Sequence, residues 1–492
     1  MIIAGLDVGT TGAKIALYDE NAVLINTYYN EYPSDHKNGK HEINFVDIKN
    51  GVMGLLKRAA NEHKITALAV TSFGETCALI GENDEILAPS MLYTDSRGSE
   101  ECAEMAAHFG AEKLTLAAGV KPHSMFSIYK VMWQKKHIPE LFSKCKHILL
   151  GEDFIVYSLT GVAQIDYSLA SRTGAFDVEK LCYIKEILDF AGVEEGLFSK
   201  PVPAGSVAGT LIEKVKAELG IDYDITVING CHDQVVAMIG SGAFDTDYAM
   251  DGTGTVECIP VILDKKPTDL EFYSYGYCAA PFINGKYACY AFSFTGGATL
   301  KWFRDNFAEY DAALAEKEGK NVYAELDSKI DSTPSGILVL PHFAGAATPY
   351  MDTESKAAFV GITLETSKYD LYKALMEGTS FEMLMNFDLL SKFATKPKGV
   401  LASGGGANSD VWLQIKADIL NMSVTALSCK EIGAAGTAAL AGVSVGVYPD
   451  LASTTAKMAK QRKVFYPNPE NAEKFAELYK KYKNLYNAVK GL

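Results

Sequence analysis

Ile2-Ile3-Ala4-Gly5-Leu6-Asp7-Val8-Gly9-Thr10-Thr11-Gly12-Ala13-Lys14-Ile15-Ala16-Leu17-Tyr18-Asp19 lies at the N-terminus. An apolar run ends in Asp7, a Gly/Thr turn follows, and a second apolar run starts at Ala13. The pattern predicts strand, tight turn, strand. Glycines in the turn allow positive φ and close backbone approach. Phosphoryl transfer needs backbone donors on the β- and γ-phosphates and a carboxylate near Mg2+. Asp7 is the expected magnesium-side carboxylate. Thr10 and Thr11 sit where phosphate donors would, and Lys14 adds a cation.

The pattern returns at Tyr248-Ala249-Met250-Asp251-Gly252-Thr253-Gly254-Thr255-Val256-Glu257-Cys258-Ile259-Pro260-Val261-Ile262, almost half a chain length later. A repeat at that period predicts two domains of one architecture, 1–245 and 246–492, each opening with a phosphate-sized hairpin. Chance recurrence of an Asp/Gly/Thr turn is the bland alternative. Gly252, Thr253, Gly254 and Thr255 would grip the phosphates from the other side, with ATP between the two domains.

The length of 492 residues agrees with this, because single cores rarely grow past about 250–300 residues. Apolar residues are 48% and charged residues 22% of the chain, a globular balance. The net charge of −15 argues against nucleic acid and anionic membranes as partners. Nine scattered cysteines without a C-x-x-C pair read as reduced core thiols. No targeting segment or membrane span is visible, so the expected location is the cytoplasm. Ile65–Thr71 and Ile148–Leu150 read as further strands, and Val52–Asn61 as a helix.

The second half carries Ser403-Gly404-Gly405-Gly406-Ala407-Asn408-Ser409 between the strand-like 399–402 and a helical pattern over Asp410–Leu420. Three glycines let a base or ribose approach the backbone, and the helix N-terminus adds positive potential. A tight αβ connection would look the same. Asn408 or Ser409 is the expected N-cap. No Gly-Lys-Ser/Thr follows a glycine loop, so there is no Walker A motif. Gly433–Gly446 reads as a closely packed Ala/Gly-rich helix. The aromatic stripe from Phe475 to Tyr486 reads as the core side of a terminal helix.

A sugar hydroxyl attacks phosphorus only when its proton has somewhere to go. In Val227-Ile228-Asn229-Gly230-Cys231-His232-Asp233-Gln234, Asp233 follows an apolar strand, where α/β folds present ligand-facing residues. Asp233 is the expected general base, and Gln234 would hold a neighbouring hydroxyl. Candidate substrate loops are Ser72-Phe73-Gly74-Glu75-Thr76, Tyr93-Thr94-Asp95-Ser96-Arg97 and Gly151-Glu152-Asp153. Glu75 directly follows a strand. Asp95 with Arg97 also reads as a structural ion pair, and Glu152-Asp153 as a helix N-cap.

Taken together these motifs resemble the FGGY family of carbohydrate kinases, over nearly the whole chain and in order. Met125–Trp133 is similar to the first family signature, ending Lys-x-x-Trp, with a departure at Gln134. Ala357–Ile362, Asp370-Leu371 and Ala374–Glu377 are similar to the second, with Leu375 a mild departure. Ser403–Val424 resembles the adenosine motif. Thr160-Gly161 and Asp166–Thr173 also look like the family's N-terminal domain. The resemblance implies an α/β fold of two ribonuclease H-like, actin-like ATPase domains around a central cleft. It implies sugar binding and catalysis in the first domain and nucleotide binding in the second. ATP and Mg2+ are the implied cofactors, with Asp233 as catalytic base and Asp7 and Asp233 on the metal side. Gly296 and Gly297 would lie near the ATP.

The implied partner is a small sugar or polyol, and a homodimer is compatible. Where xylulose kinases usually carry Gln-Met-His-Gly, this chain has Phe73-Gly74-Glu75-Thr76. Glu75-Thr76 and Gln234 look like glycerol kinase, but Gly74 replaces an arginine. The Phe-Gly pair looks like kinases of deoxy-ketohexoses such as fuculose. The expectation is a ketopentose such as xylulose, with a deoxy-ketohexose or a polyol as alternatives. A non-catalytic actin- or Hsp70-like ATPase would share the hairpins, without needing the kinase signatures or Asp233. A sugar-sensing regulator would need a DNA-binding region, and none precedes the kinase-like chain.

Overall fold

The computed structural model describes residues 1–35 and 39–491. The chain forms two compact units, neither continuous in sequence. Unit 1 is Met1–Gly242 with Cys278–Ala288 and Glu431–Ala459; unit 2 is Ala243–Tyr277, Cys289–Lys430 and the stretch from Lys460 onward. The expected division after residue 245 lies beside the Gly242/Ala243 junction. Two segments of the C-terminal half nevertheless fold into unit 1.

In unit 1, β1 (Ile2–Val8), β2 (Gly12–Tyr18), β3 (Leu24–Glu31), β4 (Ile65–Ser72), β5 (Val207–Thr210) and β6 (Thr226–His232) form a sheet in the order β5-β6-β4-β1-β2-β3. The inner pairs β6–β4 and β4–β1 are parallel, and the others antiparallel. Leu6, Val8, Ile15, Leu68 and Val70 pack with Phe45, Val52 and Leu56 of the helix Phe45–Glu62. That helix starts earlier than its apolar spacing predicts, because the Asn44 side chain caps it by accepting from the Val46 N–H.

The helices Asp233–Ser241 and Ile432–Ser444 pack together and on this sheet with almost no side chain between them. A Cβ on Gly240 would stand 2.1 Å from the Ile432 carbonyl oxygen, and one on Gly436 2.3 Å from that of Val236. A Cβ on Gly5 would stand 2.1 Å from the Ala434 carbonyl oxygen. Bare backbone at these points is what brings the late Ala/Gly-rich helix into unit 1.

Unit 2 repeats the plan. The strands β7 (Tyr248–Thr253), β8 (Glu257–Leu263), β9 (Tyr287–Ser293, in unit 2 from Cys289), β10 (Gly399–Gly404), β11 (Ser423–Leu427) and β12 (Gln461–Phe465) run in the order β9-β8-β7-β10-β11-β12. β7 is antiparallel to β8 and parallel to β10, β10 is parallel to β11, and β11 antiparallel to β12. Read from the other edge, this is the order of unit 1. Both units are ribonuclease H-like, and the half-length repeat is a duplicated architecture.

Two expectations change. The strand at 148–150 forms as His147–Leu150, but pairs with Cys77–Ile80 apart from the main sheet. The tail makes two helices, Pro469–Tyr482 and Leu485–Val489, with Phe475, Tyr479, Tyr482, Leu485 and Tyr486 buried. Among the described residues no helix is long and apolar enough to cross a membrane.

Candidate active site

β6 ends at His232, and the next residue, Asp233, is the first of the helix Asp233–Ser241. The His232 N–H donates to Ser168 Oγ at 3.0 Å, which fixes the strand end. Burial pushes the Asp233 carboxyl up to about 7, and Asp7 and Glu75 reinforce this; hydrogen bonds from Gln234 offset only part. Its Oδ1 accepts no hydrogen bond and lies 3.3 Å from His232 Nε2. Burial and then the charge of Arg172 push His232 well below its ordinary value, so its ring is neutral. Asp233 is thus a largely buried carboxylate with a high proton affinity and one buried oxygen, Oδ1, that has no hydrogen-bond donor.

Asp7 and Lys14 face each other across the β1–β2 ladder. The turn closes with the Gly9 N–H on the Gly12 carbonyl at 2.9 Å, and the Tyr32 N–H donates to the Thr11 carbonyl at 3.2 Å. Neither Gly9 nor Gly12 takes the positive φ expected of them. Gly12 is required for proximity instead, since a Cβ there would stand 2.6 Å from the Asn30 carbonyl oxygen. Thr10 is half-buried and Thr11 exposed. Lys14 is ion-paired with Glu431, a residue absent from the sequence reading because nothing local marks it. A Cβ on Gly433 would stand 2.8 Å from Asp7 Oδ2, so the bare Gly433 keeps the space beside that oxygen open.

Burial pushes Asp7 up to about 6, opposed by Lys14 and aided by Glu431. Two carboxyls that burial holds partly protonated, one raising the other, suit a divalent cation. Mg2+ commonly takes one or two carboxylates and completes its shell with phosphate and water. That fits a site where, among the described residues, no three His, Cys, Asp or Glu side chains group as metal ligands.

Glu75 lies on the loop after β4, with φ 63° and its side chain buried. Arg172 Nε donates to Glu75 Oε1 at 2.6 Å, and the guanidinium also lies 5.1 Å from the Phe126 ring centre. A Cβ on Gly74 would stand 2.9 Å from Arg172 Cγ and 3.1 Å from the His232 ring. Tyr93 is pushed up by burial, then by Glu75 and Asp233. So Glu75, Gly74, Arg172, His232, Asp233 and Tyr93 form one neighbourhood of unit 1. Arg172 escaped the sequence reading, since a charged residue inside a short polar run carries no local sign of burial.

Asp95 and Asp153 do not join that cluster by their side chains. Asp95 accepts from Arg97 Nε at 2.9 Å and Nη2 at 2.7 Å and from the His41 N–H at 2.8 Å. Burial alone would raise it, yet Arg97 and these N–H groups hold it at about 2. The family-signature residues support this pair. Lys130 Nζ donates to the Asp95 carbonyl at 2.9 Å, and Trp133 lies under the Arg97 guanidinium. Asp153 is sealed inside, with Oδ2 accepting from Ser199 Oγ at 2.6 Å. It is no N-cap either, because Leu150 holds the N-cap position of the helix Gly151–Thr160 and no side chain caps it.

In unit 2 the expected turn at Gly252–Thr255 begins later, because Gly252 and Thr253 are the last residues of β7 and pair with Cys258 and Glu257; this strand end, the turn 254–256, the Gly296-Gly297 loop and the Gly404–Gly406 loop converge. The Gly296 N–H donates to the Thr255 carbonyl at 2.9 Å and the Gly297 N–H to that of Gly254 at 2.8 Å. These two glycines brace the hairpin, and their N–H groups are already spent. Gly404 takes φ 83°, and a Cβ there would stand 2.6 Å from the Thr253 carbonyl oxygen. Gly405 is exposed, and a Cβ there would come no closer than 3.9 Å to anything. Asn408 Nδ2 donates to the Gly405 carbonyl at 3.2 Å and closes the loop. Ser409, not Asn408, is the N-cap: its Oγ accepts from the Trp412 N–H at 3.2 Å. Thr253 turns its hydroxyl inward, to Asp251 at 2.7 Å, while Gly254 and Thr255 stay exposed.

A model of the FGGY family of carbohydrate kinases, N-terminal domain, matches residues 2–240, and the C-terminal domain model matches 253–445. The chain belongs to the FGGY family of carbohydrate kinases. It is a phosphotransferase, and membership implies ATP as phosphoryl donor. The xylulose kinase of Bacillus subtilis is 25% identical over 503 residues, covering 100% of this chain and 97% of that protein. The glycerol kinase of Thermococcus gammatolerans is 28% identical over 505 residues, covering 99% and 98%. The crystal structure of gluconate kinase from Lactobacillus acidophilus superposes with a TM-score of 0.89 at 25% identity, covering 99% of this chain and 98% of that one.

Proposed function

We propose that this kinase transfers the γ-phosphoryl group of ATP to a hydroxyl of a ketopentose such as xylulose, with Asp233 as general base. The observation that carries the reading is Asp233 itself: a strand-end carboxylate, pushed up to about 7, with an oxygen that accepts no hydrogen bond. A base with proton affinity near neutrality is matched to taking a hydroxyl proton during transfer. Glu75, Gly74 and Tyr93 lie beside it and supply the acceptor's polar surroundings. Gln234 shares its hydrogen bonding with Asp233 and orients that carboxylate.

In unit 2 the open Gly404–Gly406 loop receives the adenosine, and the exposed Thr255 offers donors to phosphate oxygens, the Gly254 N–H being already spent on the Val256 carbonyl at 2.9 Å. Asp7 and Asp233 would hold Mg2+, which when bound neutralises charge on the transferred phosphoryl group. Lys14 is paired with Glu431 and tunes Asp7 through its charge.

The likeness to xylulose kinases over full length supports the ketopentose. The glycerol kinase and gluconate kinase likenesses define the competitors, and the Phe73-Gly74 pair adds deoxy-ketohexoses. Measuring ADP release with xylulose, ribulose, fuculose, glycerol and gluconate tests the reading. The highest kcat/KM is expected for a ketopentose. A preference for any other panel member would replace the substrate, and ATP turnover indifferent to every acceptor would remove the kinase mechanism.

A further inference from the structure

The helix Asp410–Leu420, which follows the glycine loop, carries a lysine on its buried side. Lys416 is 1% exposed. Its Nζ donates to Thr253 Oγ1 at 2.8 Å, to Glu257 Oε1 at 2.8 Å and to Asp251 Oδ2. An ammonium has three protons, and here all three are used. The Thr253 hydroxyl, having accepted from Lys416, donates onward to Asp251 Oδ1. Asp251, Thr253 and Glu257 are all buried. Burial would strip the proton from Lys416, but Asp251 and Glu257 overcome this and hold it charged.

The placement gives this network its meaning. Asp251 and Thr253 end β7, Glu257 begins β8, and together they bracket the exposed turn 254–256. Thr253 is also the floor of the glycine loop, since Cβ atoms on Gly404 and Gly406 would stand 2.6 and 2.7 Å from its carbonyl oxygen and its side chain. One ammonium therefore ties the phosphate turn to the helix that carries the adenosine loop. A buried ion cluster is a poor source of stability, because hydrophobic replacements of similar volume are often as good. What it supplies is a fixed register.

We infer that Lys416 is a positioning residue for the nucleotide: through Asp251, Thr253 and Glu257 it sets the distance between the adenosine loop 404–406 and the phosphate turn 254–256. This rests on the nucleotide reading of unit 2. It makes a specific demand on ligand chemistry. Loss of the register hurts a ligand that spans both elements, adenosine with phosphates, and spares one that touches only the loop.

The test compares ADP with adenosine by calorimetric titration. The proteins are the wild type, Lys416→Met, the uncharged-cluster variant Asp251→Asn/Glu257→Gln/Lys416→Met, and Gly405→Val. Both Lys416 variants are expected to lose about tenfold or more in ADP affinity while adenosine affinity changes by less than about threefold. If Lys416→Met does not fold, the uncharged-cluster variant, which leaves no carboxylate unpaired, carries the comparison. Equal losses for ADP and adenosine would mean that the network only holds the fold, and would overturn the inference. So would wild-type ADP binding in both Lys416 variants while Gly405→Val binds neither ligand well. If Gly405→Val binds both ligands like the wild type, the nucleotide reading itself falls and the inference with it.

Discussion

Arg172 and Glu75, far apart in sequence, meet as a buried pair, Nε to Oε1 at 2.6 Å, beside the catalytic-base candidate Asp233. Glu75 holds a left-handed backbone at φ 63°, a conformation that costs a non-glycine residue on the order of 1 kcal/mol. The guanidinium and the Ser127 hydroxyl, which donates to the Glu75 carbonyl at 2.6 Å, keep it there. Arg172→Met strands a buried carboxylate and is expected to cost about 3–5 kcal/mol. Urea denaturation measures it. Loss of less than about 1 kcal/mol would mean that the pair is not what holds the loop.

Asp233→Asn keeps the shape of the side chain and removes the base. The expected result is a fall in kcat of about 10²–10⁴, with ATP and acceptor affinities little changed. Steady-state kinetics with the best panel acceptor decide this. Near-normal turnover would take Asp233 out of the mechanism.

Gly405→Val places a branched side chain on an exposed loop where a Cβ meets no protein atom within 3.4 Å. The fold should survive, and KM for ATP should rise about tenfold or more while KM for the acceptor stays within about twofold. A rise in the acceptor KM alone would show that the loop serves the other substrate.

Asp153 predicts a pH dependence of stability. Burial pushes its carboxyl from 3.8 to about 8, and the Ser199 hydroxyl offsets only part. Between those values the folded chain holds a proton that the unfolded chain has released. The group therefore favours folding at low pH, and that advantage is lost as pH rises toward about 8. The slope is at most about 1.4 kcal/mol per pH unit. Asp153→Asn cannot ionise, so its Tm should fall less between pH 5 and pH 8 than that of the wild type, at roughly the pH range set by this shift. Parallel Tm profiles for the two proteins would contradict the buried carboxyl.

Much of this site was legible in local sequence, because local geometry is what the motifs encode. A strand carrying Asp7 or Asp251 toward a turn, a glycine loop before a helix, and Asp233 after an apolar strand formed as read, except that the second strand runs on through Gly252 and Thr253. Their physical basis lies within a few residues: β-branched runs, turn glycines and caps. The half-length repeat likewise predicted two similar sheets.

What local sequence did not carry is everything decided by contacts across the chain. Arg172 and Lys416 look like surface charges in sequence, and only packing buries them against Glu75 and against Asp251 with Glu257. Asp153 looks like a loop ligand and is sealed beneath Ser199. Glu431 reaches Lys14 only because bare backbone at Gly5, Gly240 and Gly436 draws its helix into unit 1. Composition and spacing determined the family, the hairpins and the place of Asp233 at a strand end. Burial and partner choice belong to the tertiary structure alone, because the free energy of a charged side chain depends on what surrounds it, and no local stretch specifies its surroundings.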